Sequence, residues 1–158
     1  MAAANCSFRI ERDSTAERPR FALIGTIDER SNLTIPGDVD GELELELSEL
    51  DGINSFGVGI WISAMERLTD TVQVHLLRCP PIIVNHMNLT AGFVAKATIV
   101  SFQVPFACDE CDEETDVDFE VAAVKAAGGA LPESHPCECG ADMFADVLSE
   151  MYLRFLDE

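Results

Sequence analysis

ELELELSELDGINSFGVGIWISAMERL, residues 42–68, is the stretch on which the fold turns. Residues 42–47 alternate Glu with Leu, the two-residue period of a strand that buries one face. Ile53, Asn54 and Ser55 break that period, and from Phe56 onward Val58, Ile60, Trp61, Ile62, Met65 and Leu68 fall at helical spacing. The reading is strand, tight turn, helix. Ser55 is expected to be the N-cap, its hydroxyl accepting from a backbone N–H that the helix leaves unpaired. The same helix end carries a partial positive charge and free donors, so it tolerates a phosphate. Gly57 and Gly59 leave the turn open to an approaching partner.

Outward from this stretch, residues 8–12 and 20–27 read as two short strands joined by a polar turn. Between Asp28 and Glu42 the segment SNLTIPGDVDG holds Pro36, Gly37 and Gly41, too broken for a full helix, and reads as a loop. After the central helix, residues 72–77 form an apolar strand and Pro80-Pro81 opens a second helix over residues 82–89, proline being tolerated in a first turn. Residues 99–105 read as a last strand at a sheet edge, where Pro105 is acceptable. Strands alternating with helices indicate an α/β layer structure.

These elements carry a family resemblance. LSELDGINSFGVGIWI resembles the core motif of the STAS family (sulfate transporter and anti-sigma factor antagonist domains). There a strand runs through Leu/Asp-Leu-Ser, apolar residues and Asp-Ser-Ser-Gly-Leu-Gly into an apolar helix. The family's phosphorylated serine corresponds to Ser55 and its glycines to Gly57 and Gly59, while Asn54 stands for the preceding acid and Phe56 for the second serine. FALIGTID resembles the second STAS strand, and RCPPIIVNHMNLTAG a later helix of the family. The resemblance runs from Phe8 to Gln103. It implies a mixed β-sheet with helices packed on it, the first inter-strand helix being shortened here, over a domain of residues 6–105.

The resemblance also implies a function. A non-catalytic regulator of this kind docks an anti-sigma factor that is a serine kinase of the histidine-kinase-like ATPase class, and so frees a sigma factor. Asn54, Ser55, Phe56, Gly57 and Gly59 would form the contact, and phosphorylation of Ser55 would end it until a phosphatase restored it. Because Asn54 and Phe56 replace the family residues, docking without phosphorylation stands beside the switch. A scaffold module with unrelated partners is one alternative, since a fold serves many functions. A small-ligand or nucleotide sensor using the turn as an anion pocket is another.

From Ala107 the composition changes, and residues 106–158 read as a separate extension. Cys108-x-x-Cys111 is followed by an acidic run, a short apolar stretch, a small-residue loop and then His135-Pro-Cys137-x-Cys139-Gly140. Two cysteine pairs of this form resemble a zinc ribbon, in which Cys108, Cys111, Cys137 and Cys139 donate four thiolates to one tetrahedral Zn²⁺. The second pair has one intervening residue rather than two, and His135 with Cys139 is the alternative donor set. Four thiolates leave no open coordination position, so the zinc would be structural, supplying on the order of 10 kcal/mol of folding free energy in comparable small domains. Residues 146–156 place Val147, Leu148, Met151, Tyr152 and Phe155 on one side of an amphipathic terminal helix, with Asp142 or Asp146 as its N-cap.

Composition bounds the remaining possibilities. The chain has 158 residues, 47% of them hydrophobic, enough for a packed core, and a net charge of −19. That sign opposes unaided binding to nucleic acid or to anionic membranes; a basic partner or a saline environment suits it. No apolar run approaches the roughly 20 residues of a membrane helix. The opening MAAANCSFRIERD lacks the regions of a signal peptide, so the expected location is the cytoplasm and the cysteines are expected to be reduced. Trp61 is expected in the core, and Cys6 and Cys79 are expected to be buried or idle. No Ser-His-Asp order, phosphate-cradling glycine loop or nucleophile elbow is present, so no enzyme activity is expected.

Overall fold

In the computed structural model, which describes residues 7–35 and 39–157, the chain opens with an antiparallel pair, β1 (Arg9–Arg12) and β2 (Arg20–Ile27). The expectations attached to Cys6, Pro36 and Gly37 lie outside the described residues. The Glu-Leu alternation forms β3 (Glu42–Glu46), parallel to β2. A second piece, β4 (Leu50–Ile53), continues along β2 after a break at residues 47–49. Gly25, at φ 94, lies where the pairing register shifts to admit that break, a backbone state that only glycine adopts without strain. Next come α1 (Ser55–Thr71), β5 (Gln73–Leu77), α2 (Pro81–Leu89) and β6 (Thr98–Ile99). The six strands make one mixed sheet, in the order β1-β2-β3-β5-β6 with β4 beside β2.

This sheet has two unlike faces. Registered neighbours share a face, so Phe21, Leu45 and Leu76 line up across β2, β3 and β5, as do Leu43 and Val74, all of them buried. The opposite face carries the glutamates of β3, each tied down: Arg20 donates to Glu44 at 2.7 Å, Arg18 lies 3.3 Å from Glu42, and Arg78 lies 3.7 Å from Glu46. Parallel strands usually bury both faces under helices and read as unbroken apolar runs. Here a strict alternation survives in a parallel strand because ion pairs cover the second face. On the apolar side Trp61 of α1 is fully buried, its indole N–H donates to Phe93 O at 2.9 Å, and its ring stacks on Phe93.

The rest of the chain forms a second sheet. β7 (Ser101–Cys108) pairs antiparallel with β8 (Glu114–Glu120), which runs into α3 (Val121–Ala126); β9 (His135–Pro136) and β10 (Asp142–Ala145) complete the order β8-β7-β10-β9. α4 (Ser149–Tyr152) and a 3-10 turn (Leu153–Asp157) close the chain. Cys79 joins the sheets: its N–H donates to Ser101 O and its carbonyl accepts from Gln103 N–H, at 3.1 and 2.8 Å. It is buried, and burial pushes its thiol far above the usual range. The expected division between residues 105 and 106 falls inside β7, and one hydrophobic cluster includes Leu45 and Trp61 together with Phe106, Val124 and Phe155.

Two sequence expectations are corrected here. The strand holding Pro105 lies inside its sheet, between β8 and β10, not at an edge. Pro105 is tolerated because it stands at the last rung against β10: Asp146 N–H donates to Pro105 O at 2.8 Å, and the reciprocal bond that proline cannot make is where that ladder stops. The terminal amphipathic helix begins at Ser149 rather than Asp146, with Leu148 at its N-cap position and no side-chain cap, while Asp142 belongs to β10. Tyr152 and Phe155 are buried, but Leu148 and Met151 are 74% and 54% exposed, so the five apolar residues do not share one buried side.

α1 approaches β2 most closely at Gly57, where an added Cβ would lie 2.1 Å from Ile27 O. Around Gly59 nothing lies within 4 Å of that position. Gly57→Ala should therefore destabilise the fold by about 1–3 kcal/mol or more through overpacking against rigid backbone. Gly59→Ala should stabilise it by about 0.5–1 kcal/mol by removing a helix-interior glycine. Urea denaturation of the two variants checks the opposite signs.

Candidate metal centre

The four expected cysteines come together from two turns. Cys108 ends β7 and Cys111 lies in the turn to β8; Cys137 and Cys139 lie in the turn between β9 and β10. Their Sγ atoms all lie within 4.8 Å of one another. The shortest approaches cross between turns, 3.6 Å from Cys108 to Cys139 and 3.5 Å from Cys111 to Cys137. A tetrahedral ion with metal–sulfur bonds of about 2.3 Å spaces its sulfurs about 3.8 Å apart. The four side chains can thus hold one metal ion with small adjustments. His135 is not in the cluster; it pairs with Met143 in β9 and its ring lies 5.8 Å from that of Phe106.

The two turns reach the same geometry by different sequences. In each, the residue after the second cysteine is left-handed: Asp112 at φ 58 and Gly140 at φ 94. Cys108 N–H donates to Glu113 O across the first turn and Cys137 N–H to Ala141 O across the second, both at 2.9 Å. The single residue between Cys137 and Cys139 is therefore no obstacle, because the hairpin closes around Gly140. Asp112 was legible only as one acid among several, although aspartate is among the few residues that tolerate this conformation.

Backbone donors also aim at the sulfurs. The N–H groups of Cys111 and Glu110 hold the Cys108 thiol down at about 7. At Cys111 the Glu113 N–H favours the thiolate, but the Cys137 thiol, burial and the other two cysteines outweigh it and push the group up to about 12. Cys137 is raised as well: the Cys139 N–H favours its thiolate, but burial together with the Cys139 and Cys108 thiols outweighs it. One thiolate is thus prepared in advance, and a metal must displace protons from Cys111 and Cys137.

The start of α1 gathers the other expected site residues. Asn54, not Ser55, is the N-cap: its Oδ1 accepts from Gly57 N–H at 2.8 Å, and its Nδ2 donates to Glu29 Oε2 at 2.9 Å. That bond holds the Glu29 carboxyl below its usual range. Asparagine outcompetes serine for the cap because its longer arm spans both partners. Ser55 becomes the first helical residue, exposed, and among the described residues its hydroxyl takes no partner. Phe56 is 68% exposed beside it, Gly57 is buried and Gly59 exposed. The role of Glu29 was missed, for nothing near it in sequence marks it as a partner of residue 54.

No protein-family model matches this chain, and no curated protein matches it either. Among the described residues no helix is long and apolar enough to cross a membrane.

One metal ion per chain is expected by elemental analysis, and Cys108→Ser or Cys139→Ser should lose it. Above pH 7 Cys108 is ionised while Cys111 and Cys137 still hold protons; below it Cys108 adds another proton to be displaced. Metal affinity should fall as the pH falls, more steeply below about 7, in chelator-competition titrations. Chelation should raise amide exchange across residues 137–145 while the amides of β3 and β5 stay protected, since those strands lie in the main core.

Proposed function

We propose that this chain is a non-catalytic protein-docking domain of the STAS type, stabilised by a structural zinc ion, that engages an anti-sigma factor of the serine-kinase class through the start of α1. The observation that carries the reading is the first turn of that helix: Phe56, 68% exposed, stands beside the exposed Ser55. The backbone beneath them is fixed by Gly57 against β2 and by the two hydrogen bonds of Asn54. A large apolar side chain held in water on a rigid support is a common form of binding anchor. A mixed sheet with helices packed on it is the coarse arrangement that the resemblance implies.

Zinc is favoured by the donor set, since four clustered thiolates suit zinc or iron–sulfur chemistry and the two short turns suit a single ion. Four protein ligands leave no position for substrate, so the ion's work is to hold the two turns together.

Phosphorylation at Ser55 Oγ would place nearly two negative charges beside Phe56 and near the Glu29 carboxylate. Repulsion and hydration there would oppose a dry contact around Phe56. Phe56 itself favours a second version in which docking is constitutive, because an apolar anchor at this position needs no phosphate to work.

Phe56→Glu should weaken capture of the kinase by at least about tenfold while melting stays near wild type, as the side chain is mostly outside the core. Incubation with kinase and ATP followed by intact-mass measurement separates the two versions. A phosphoryl mass at Ser55 supports the switch, and its absence with docking retained leaves the constitutive version. Failure of both wild type and Phe56→Glu to bind any such kinase would end the reading.

A further inference from the structure

Apart from the metal centre and the α1 turn, the molecule has a cavity of about 360 Å³ where its two sheets meet. It is open to solvent on one side and lined by α2, the loop at residues 90–97, β6, α3 and the C-terminal 3-10 turn. Met87, Phe93, Ile99, Val121 and Phe155 form apolar walls, and Lys125 stands among the lining residues as the one charged group. Ala95, at φ 51, holds part of the loop wall in a conformation unfavourable to a non-glycine residue. Neither docking through α1 nor metal binding uses this space.

We propose that the cavity binds a medium-chain aliphatic carboxylate, with its chain among the apolar walls and its head group on Lys125. Three observations lead there. Five large apolar side chains give a hydrocarbon body surface to bury against, while Thr90, Thr98 and Lys125 set polar groups among them for a polar head. Lys125 has no carboxylate at ion-pair distance among the described residues, whereas Lys96 on the same loop is held by Asp70 at 2.8 Å. Arg67 and Arg154 likewise have no carboxylate at ion-pair distance among the described residues, but Lys125 is the one charged group lining the cavity, and there its ammonium favours an anionic head. The volume sets the size: at about 30 Å³ for a water-sized group it holds roughly a dozen such groups, a chain of about eight to ten carbons with its carboxylate.

Trp61, the only tryptophan, stacks on the cavity residue Phe93 at 5.6 Å between ring centroids and so reports on occupancy. Decanoate is titrated into the full metal-loaded chain, with decanol as the uncharged control, following Trp61 emission and, independently, heat. Decanoate should saturate at one site and bind more tightly than decanol. Lys125→Gln, an exposed change that should leave the fold intact, should weaken decanoate about tenfold and leave decanol unchanged. Ala97→Phe, which fills the cavity, should abolish both, with metal content and circular dichroism confirming the fold. Non-saturable decanoate binding would overturn the proposal. So would decanol binding as tightly as decanoate, or a Lys125→Gln variant with unchanged decanoate affinity.

Discussion

The contact of helix α1 with the carbonyl of Ile27 sets the geometry of everything around the start of that helix. A Cβ at position 57 would fall 2.1 Å from that oxygen, so only glycine lets the helix lie this close to β2. The same carbonyl accepts from Asn54 N–H at 3.1 Å, and the side chain of Asn54 then closes the first turn through Gly57 N–H. Three successive constraints thus act on four residues. They fix where the helix begins, and hence that Ser55 and Phe56 face water. They also bring Trp61, one turn further on, down onto Phe93.

The six-stranded sheet obeys an unusual division of labour. Its apolar face is covered in the ordinary way, but its other face is closed by side chains paired as carboxylate and guanidinium. Glu44 is the clearest case: its side chain is 14% exposed and accepts from two nitrogens of Arg20, each at 2.7 Å. Charge-assisted bonds of this geometry offset the cost of partly desolvating a carboxylate. The face is consequently polar without being loose.

Much of this was legible in the sequence, and the misses have physical causes. The alternation in residues 42–47 and the apolar spacing after Phe56 describe β3 and α1 well because both depend on burial of one face. β4 escaped notice because Leu50-Asp-Gly-Ile is too short and too polar to show a period; it is a strand only because β2 lies beside it. The cap was assigned to Ser55 on residue type, whereas reach decided it, and the reach of Asn54 to Glu29 is a tertiary fact. The four cysteines were found by spacing, since metal ligation demands residues of one kind in close pairs. Pro105 misled because a proline suggests an edge, and its tolerance inside a sheet depends on where the neighbouring strand stops.

The segment between α3 and β9 has a consequence of its own. Residues 127–134 are almost wholly exposed, and Gly128 and Gly129 turn the chain at φ 76 and 79. Both its ends are moored, on one side by Val124 in the core and on the other by the cysteine cluster. With the moorings fixed, lengthening this arc costs only about 0.6 kcal/mol for each doubling. Over evolutionary time this is the place where the molecule can accept new sequence, or a whole inserted module, without disturbing either sheet.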